Sequence, residues 1–236
     1  MRQQVNSGER FRRGNAIPTL IVAGHLVAYL TREELRALLD APDPGTISGT
    51  RDRAMLHLAF AAGLRVSELI GVRLDQLELQ GAASIHVIGK GRRERMLPLW
   101  KETAKVLRAW LAVRPGGDAH ELFLNARGQP MTRSGFEYIL ATHAATAAIR
   151  QPSITSKRVT PHVLRHTCAM HTSQATRDVR KVSLWLGHAS LQSTEVYLRA
   201  DPAEKLDALN AMTPPTLQPG RFRPPDRLLE MLWSGK

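Results

Sequence analysis

Cysteine and long apolar runs are scarce in this chain. One cysteine, Cys168, occurs among 236 residues, which excludes an internal disulfide or a cysteine-rich zinc module and fits a reducing compartment. The longest mostly apolar stretch, 17–30, is too short to span a bilayer and is interrupted by Pro18 and His25. No small-residue cleavage site precedes the helix predicted at Thr31, so a secretory signal is not expected. We therefore expect a soluble, cytoplasmic protein that makes no membrane contact.

Acidic and aromatic residues are also few. The chain has 33 Lys and Arg against 21 Asp and Glu, which gives a net charge of +12, and aromatic residues make up 5%. Segments 2–13 and 90–95 each hold four basic residues and one acid, and segment 150–181 holds seven basic residues and one acid. These net charges of +3, +3 and +6 account for the whole excess. A single charge run is usually a solvated surface, but this concentration favours one groove that binds a polyanion.

The spacing of apolar residues predicts one mainly α-helical domain with a small antiparallel β-sheet, an α+β fold. Thr31 followed by Glu34 is a capping-box pattern that opens the first helix. Apolar residues alternate between 77 and 99, which predicts two or three short strands with a turn at Gly89-Lys90-Gly91. Further helices are predicted at about 50–62, 66–72, 101–113, 133–148, 161–175, 177–186, 191–198 and 202–211. We expect a basic arm at 1–27, the folded domain at 28–212 and a proline-rich tail at 213–236.

Three polar residues occur where apolar neighbours predict a buried helix. His162 and Arg165 are three positions apart on one predicted helix, and therefore about 60° apart on the same face. Arg65 begins another helix among core-type residues, where it needs a partner, and Glu68 at i+3 can supply one. Planar guanidinium groups suit the non-bridging oxygens of a phosphodiester. Breaking such a bond also requires an acid for the leaving oxygen and a nucleophile in line with it.

In their order and local sequence these residues resemble the tyrosine recombinases, or phage-integrase-type recombinases, over about residues 28–212. The family motif is Arg, Lys, His-x-x-Arg, His and Tyr, and it matches Arg65, Lys90, His162, Arg165, His188 and Tyr197. The matching segments are Ala-Gly-Leu-Arg-Val-Ser-Glu-Leu, Gly-Lys-Gly-Arg-Arg-Glu-Arg, His-Val-Leu-Arg-His-Thr and Leu-Gly-His-Ala-Ser. The resemblance implies the tyrosine-recombinase catalytic domain fold.

The resemblance implies strand exchange through a covalent protein–DNA intermediate. Tyr197 would attack the scissile phosphate to give a 3′-phosphotyrosine and a free 5′-hydroxyl, while Arg65 and Arg165 would clamp the non-bridging oxygens. A free tyrosine has a pKa of about 10 and needs cationic neighbours and a base to attack at neutral pH. The phosphodiester energy stays in the covalent bond, so neither ATP, nor a metal, nor another cofactor is implied.

The resemblance gives the other motif residues supporting roles. Lys90, at the hairpin tip, would be the general acid for the leaving 5′-oxygen. His162 would assist proton transfer from the tyrosine, and His188 would hydrogen-bond the phosphate. Glu68 is expected to orient Arg65.

The expected partner is double-stranded DNA, and residues 203–212 are expected to dock into a neighbouring subunit of a homo-tetramer. Other recombinases are further candidate partners. The candidates for contact with the DNA backbone are Arg92, Arg93, Arg95, Lys157, Arg158, Arg180 and Lys181. A zinc site at His162, His166 and His171 is an alternative that is not favoured, since no carboxylate or cysteine pair completes it. Cys168 is expected to be buried rather than reactive.

The sequence departs from the family at its front, because 64 residues precede Arg65. The family's N-terminal DNA-clamping domain is therefore expected to be absent, as in a naturally short member, a truncated gene or a sequence lacking its N-terminus. Two alternative functions stay open. One is a catalytically idle DNA-binding or assembly partner of a full-length recombinase, which lacks cleavage because the clamping domain is missing. The other is a type IB topoisomerase-like enzyme, which has the same chemistry and no partner site. Integration, excision, inversion, transposition and dimer resolution all stay open as the biological event.

Overall fold

The computed structural model describes residues 28–89 and 94–187, and the architecture below concerns those residues. They form seven α-helices, one three-stranded sheet and two short 3₁₀ turns at Leu74–Gln76 and Pro152–Ser156. The helices are α1 (Arg32–Leu39), α2 (Ile47–Ala61), α3 (Val66–Ile70), α4 (Lys101–Val113), α5 (Arg133–Arg150), α6 (Pro161–Thr176) and α7 (Val179–Leu186). The strands are β1 (Leu77–Glu78), β2 (Ser84–Ile88) and β3 (Glu94–Pro98). Within these ranges no helix is both long enough and apolar enough to cross a membrane.

Side-chain caps set the starts of the first two helices. The predicted capping box is present, because the Glu34 amide donates to Thr31 Oγ1 at 3.2 Å and the Thr31 amide donates to Glu34 Oε2 at 2.7 Å. α2 begins three residues before the predicted start because Thr46 caps it, accepting from the Gly49 amide at 2.9 Å. Short polar residues that cap a helix end are hard to distinguish from loop residues in the sequence.

α2 forms the centre of the core and packs against α4 and α6. Every residue of this helix from Ala54 to Ala61 is buried. His57 belongs to this buried stretch, and burial, helped by the nearby Arg53 charge, lowers its pKa to about 4, so the ring is neutral. At the end of the helix, Gly63 has φ +55, and a Cβ there would lie 2.5 Å from the Leu186 side chain. Glycine at this position therefore allows the end of α2 to pack closely against α7.

The sheet has the strand order β1-β2-β3, with antiparallel neighbours, as the alternating pattern predicts. Ile85 pairs with Leu97, and Val87 pairs with Arg95. Ile85, Val87 and Leu97 are all buried, so this face of the sheet lies on the core. The hairpin between β2 and β3 is confirmed, and its tip at 90–93 lies outside the described residues.

The last two described helices meet at a sharp turn. Arg177 has a left-handed φ of 51° at the end of α6, and α7 begins two residues later than predicted because Asp178 caps it, accepting from the Arg180 amide at 2.9 Å. α7 ends at Gly187, whose φ is 62°. The arm at 1–27, the helices predicted at 191–198 and 202–211 and the tail at 213–236 lie outside the described residues.

Candidate active site

Three residues far apart in the sequence meet in one cleft. Arg65, His162 and Arg165 line a cavity of about 220 Å³ at the starts of α3, α5 and α6. The other lining residues are Val66, Ser67, Ile70, Arg133 and Pro161. Three further residues of the predicted site, Lys90, His188 and Tyr197, lie outside the described residues.

The start of α6 places His162 and Arg165 at different depths of the cleft. Thr160 caps the helix by accepting from the Val163 amide at 3.3 Å, and Pro161 occupies the first turn, where its missing N–H costs nothing. The two side chains are on one face, as their spacing predicts. His162 is exposed at the rim and Arg165 is buried.

Arg165 is held by backbone carbonyls. Its Nη2 donates to the Leu186 carbonyl at 2.8 Å, and its Nη1 donates to the Gly63 carbonyl. Carbonyls near helix C-termini are otherwise unpaired and carry partial negative charge. They therefore fix the guanidinium without adding a formal negative charge to the cleft.

Glu68 is the buried acid of the site, with 4% of its side chain exposed. It accepts from the Arg65 backbone amide at 3.0 Å and from Arg65 Nη1 at 2.9 Å, as the i+3 spacing predicts. Arg165 Nη1 lies 4.0 Å from the same carboxylate. Burial raises the pKa of Glu68, but hydrogen bonds from Arg95 and Arg65 outweigh burial and hold the pKa below its usual value. The carboxylate is therefore ionised at neutral pH.

Arg95, which was predicted to contact the DNA backbone, binds a buried carboxylate instead. Its Nη2 donates to Glu68 Oε2 at 2.8 Å and its Nη1 to Glu68 Oε1 at 3.3 Å, and 10% of its side chain is exposed. A guanidinium committed to a buried carboxylate does not present its donors to a DNA strand. The alternation of β3 carries the missed signal, since residue 95 shares a face with the buried Leu97.

Lys157, another predicted contact of the DNA backbone, also pairs with a buried acid. Its Nζ donates to Glu34 Oε2 at 2.6 Å and to the Tyr29 carbonyl at 2.9 Å. Glu34 is itself buried at the start of α1. Lys157 therefore ties the first helix to the 3₁₀ turn before α6.

The other five residues predicted to contact the DNA backbone are either exposed to solvent or outside the described residues. Arg158, Arg180 and Lys181 are exposed. Lys181 has Asp178 as a neighbour at 3.9 Å, too long for a tight ion pair on an exposed surface. Arg92 and Arg93 lie outside the described residues.

We expect Lys157→Met to reduce stability rather than DNA binding. The substitution leaves the buried Glu34 carboxylate without its cation, so the free energy of unfolding should fall by about 3 kcal/mol. This value is at the lower end of the range for a broken buried ion pair, because Ser153 still donates a hydrogen bond to Glu34. Burial raises the pKa of Glu34, but hydrogen bonds from Lys157 and Ser153 leave it lowered overall. The stabilisation is therefore present above the ordinary glutamate pKa and lost as the pH falls through the lowered value.

Urea unfolding and DNA titration of Lys157→Met and Arg158→Met together test this assignment. The matched variant Arg158→Met should keep wild-type stability and bind DNA more weakly. Wild-type stability with weaker DNA binding in Lys157→Met, and lower stability with wild-type DNA binding in Arg158→Met, would show that Lys157 contacts DNA.

Arg133 is a cleft residue that the sequence did not reveal. It is the first residue of α5, its side chain is 62% exposed, and it pairs with Glu137 at 3.2 Å. Thr132 caps this helix, accepting from the Gly135 amide at 3.0 Å. No sequence spacing links Arg133 to Arg65 or His162, because only the packing of α5 against α3 brings them together.

The other polar residues on α6 have separate environments. His171 Nε2 lies 3.0 Å from the Leu30 carbonyl, away from His162 in the cleft. Burial raises the pKa of the Cys168 thiol to about 12, so this buried side chain is an inert packing residue, as expected. Residues 28–89 and 94–187 contain no group of three His, Cys, Asp or Glu side chains arranged to hold a metal ion.

Comparison with known proteins extends across most of the chain. The Phage integrase family matches residues 28–204. A putative integrase/recombinase, y4rC, of Sinorhizobium fredii is 45% identical over 225 residues, covering 95% of this chain and 68% of the relative. Tyrosine recombinase XerD of Listeria innocua is 39% identical over 74% of this chain and 59% of the relative, and XerD of Pseudomonas putida is 37% identical over 79% and 61%. The chain thus spans about three fifths of these XerD relatives.

Solved structures of recombinases and of a transposon integrase are similar in fold to this chain. The XerA recombinase has a TM-score of 0.68 at 29% identity, covering 81% of this chain and 67% of that one. The XerH site-specific recombinase, bound to palindromic difH substrate in a post-cleavage complex, has a TM-score of 0.67 at 25% identity, covering 79% and 53%. The Tn1549 transposon integrase in complex with circular intermediate DNA shares the fold, with a TM-score of 0.65 at 19% identity, covering 80% and 68%.

Proposed function

The chain belongs to the phage integrase family of tyrosine recombinases, and on that premise we propose that it cuts and rejoins double-stranded DNA at specific sites through a covalent phosphotyrosine bond. The predicted family and its mainly helical fold with a small antiparallel sheet are confirmed. One observation carries the proposal. Arg65, His162 and Arg165, separated by up to 100 positions in the sequence, line a single small cleft.

The cleft has the charges that a phosphodiester under attack requires. Arg65 and Arg165 present guanidinium groups to its non-bridging oxygens, whose charge grows as a fifth bond forms to phosphorus. Carbonyls hold Arg165, and Glu68 holds Arg65, so little reorganisation is needed when the phosphate arrives. The clamp is therefore preorganised for a pentacovalent transition state.

In the proposed reaction each bond formed matches one broken. The Tyr197 oxygen bonds to phosphorus, its proton passes to His162, and the bond from phosphorus to the 5′-oxygen breaks. Lys90 gives that oxygen a proton, while His188 donates a hydrogen bond to the phosphate. Attack by a 5′-hydroxyl reverses the steps, so neither ATP nor a metal takes part.

DNA is proposed to follow the basic surface beside the cleft. The exposed Arg158, Arg180 and Lys181 support this path, with Arg92 and Arg93 as further candidates. We further propose that the recombinase domain occupies 28–212, between a basic arm and the proline-rich tail. The segment 203–212 would join subunits in a tetramer on DNA.

A covalent selection tests the proposed function without knowledge of the target. The protein is incubated with a pool of nicked duplexes randomised on both sides of the nick, so that cleavage near the nick releases a short strand and traps the complex. Denaturation and sequencing of the protein-bound DNA should yield one enriched, two-armed sequence. DNA binding with no trapped adduct would instead indicate an idle assembly partner. Relaxation of supercoiled plasmid with no enriched sequence would indicate a topoisomerase-like enzyme.

Arg133 is proposed to bind a DNA phosphate next to the scissile one. Arg133→Ala should weaken binding of the selected duplex about three- to tenfold and reduce the slope of log affinity against log salt by about one. Fluorescence anisotropy across a salt series measures both. The control is Arg36→Ala, an exposed arginine of α1 that lines a different groove. Equal slopes for Arg133→Ala and wild type would remove Arg133 from the DNA surface.

A further inference from the structure

We propose that Arg95 is a positioning residue that satisfies the buried carboxylate of Glu68 and so leaves the charge of Arg65 and Arg165 available to the scissile phosphate. The inference rests on the proposed function, because it concerns how the same cleft keeps its charge. Arg95 belongs to β3, whereas the three residues it influences belong to α3, its cap and α6.

The hydrogen bonds to Glu68 are divided unequally among the arginines. Arg95 uses both terminal nitrogens, one on each carboxylate oxygen, at 2.8 and 3.3 Å. Arg65 uses one terminal nitrogen, at 2.9 Å, and Arg165 stays at 4.0 Å. Two-point pairing of this kind is the strongest arrangement between an arginine and a carboxylate. Arg95 is therefore the principal counter-ion of Glu68.

The side chain that makes fewer hydrogen bonds to Glu68 is also the more exposed one. The exposed fraction of the side chain is 4% for Glu68 and 10% for Arg95, whereas it is 39% for Arg65. Within residues 28–89 and 94–187, Arg65 donates through its backbone amide and its Nη1, and its Nε and Nη2 atoms have no protein acceptor. Because Arg65 lines the cleft, these donors are available to a phosphate that binds there.

The charge balance shows what Arg95 contributes. Three guanidinium groups and one carboxylate sum to +2, and without Arg95 they sum to +1. In a buried site a carboxylate that has lost its main cation attracts its remaining neighbours strongly. Arg65 and Arg165 would then neutralise Glu68 instead of the phosphate.

Arg95 also lies directly beneath the turn that ends α7. A Cβ built on Gly187 would lie 3.0 Å from Arg95 Nη1 and 3.2 Å from its Cδ. The preceding carbonyl, of Leu186, accepts from Arg165. Arg95 therefore contacts both Glu68 and the turn that anchors Arg165, which explains why a long cation occupies an inward position of β3.

The test compares Arg95→Met, Arg95→Lys, Glu68→Gln and the double variant Arg95→Met/Glu68→Gln in the full chain. Single-turnover cleavage is measured at saturating selected duplex, with the folded fraction determined by circular dichroism at the assay temperature. Each enzyme also receives a duplex with a methylphosphonate at the scissile position, which lacks one charged oxygen and so needs less neutralisation. Arg36→Met is the control for loss of an exposed arginine.

We expect Arg95→Met to slow cleavage of the ordinary phosphate about 10- to 100-fold per folded molecule, and of the methylphosphonate by a smaller factor. The double variant should recover at least part of this rate, because the unpaired buried charge is gone, and Arg95→Lys should lie between Arg95→Met and wild type.

Two results would overturn the inference. One is an unchanged rate per folded molecule in Arg95→Met. The other is an equal loss on both substrates that Glu68→Gln does not relieve, which would make Arg95 a purely structural residue. A wild-type protein that forms no adduct refutes the proposed function itself, so the two failures are distinguishable.

Discussion

Tyr197→Phe is expected to form no covalent adduct with nicked duplexes while binding DNA as the wild type does. The substitution removes a single oxygen, the atom proposed to bond to phosphorus, and keeps the aromatic ring. Without that oxygen no other step of the reaction can proceed. The loss should therefore be complete within detection, in contrast to the partial losses from changing a supporting group.

The chain offers a matched control for this change. Its tyrosines are Tyr29, Tyr138 and Tyr197, and the Tyr138 side chain is 74% exposed on α5. Tyr138→Phe should form adduct at the wild-type rate. Adduct formation by Tyr197→Phe at that same rate would rule out Tyr197 as the nucleophile.

Arg165→Lys should reduce the single-turnover cleavage rate about 10²- to 10³-fold, the effect of removing one preorganised donor to a developing oxyanion. Lysine keeps the positive charge but has one compact ammonium in place of a planar fork. It cannot bond the Gly63 and Leu186 carbonyls and also present two donors to a phosphate. Geometry rather than charge should therefore account for the loss.

Cleavage rates at saturating DNA, measured with thermal unfolding curves, check the expectation for Arg165→Lys. The same exchange at an exposed position, Arg158→Lys, should leave the cleavage rate within about twofold of wild type because a lone lysine serves a surface phosphate contact as well. A wild-type rate in folded Arg165→Lys would remove Arg165 from the phosphate clamp.

Local patterns in the sequence predict much of this fold. They succeed for elements whose stabilising contacts join residues close together in the sequence. The Thr31 and Glu34 capping box and the alternating strands are readable because their partners are a few residues apart. The early start of α2 is not readable, since Thr46 resembles the loop residues before it. The pairing of Arg65 with Glu68 is also readable, because residues three positions apart are neighbours on one face of a helix.

The charge pattern predicts less well than the motif spacing. Arg95 and Lys157 contribute to basic segments, yet each neutralises a buried acid whose position the segment does not reveal. Counting charges treats all cations as exposed, whereas folding places some of them against carboxylates from distant elements. Arg133 shows the converse, because an arginine outside every basic segment reaches the cleft through the packing of α5.

Mass spectrometry of the trapped adduct tests the central proposal most directly. Trypsin cleaves after Lys181 and Arg199, so Tyr197 falls in a peptide, 182–199, that contains no other tyrosine. After nuclease digestion, fragmentation should place a nucleotide, joined through its 3′-phosphate, on Tyr197. A nucleotide on a serine or threonine of that peptide, or on any other peptide, would contradict the proposed reaction.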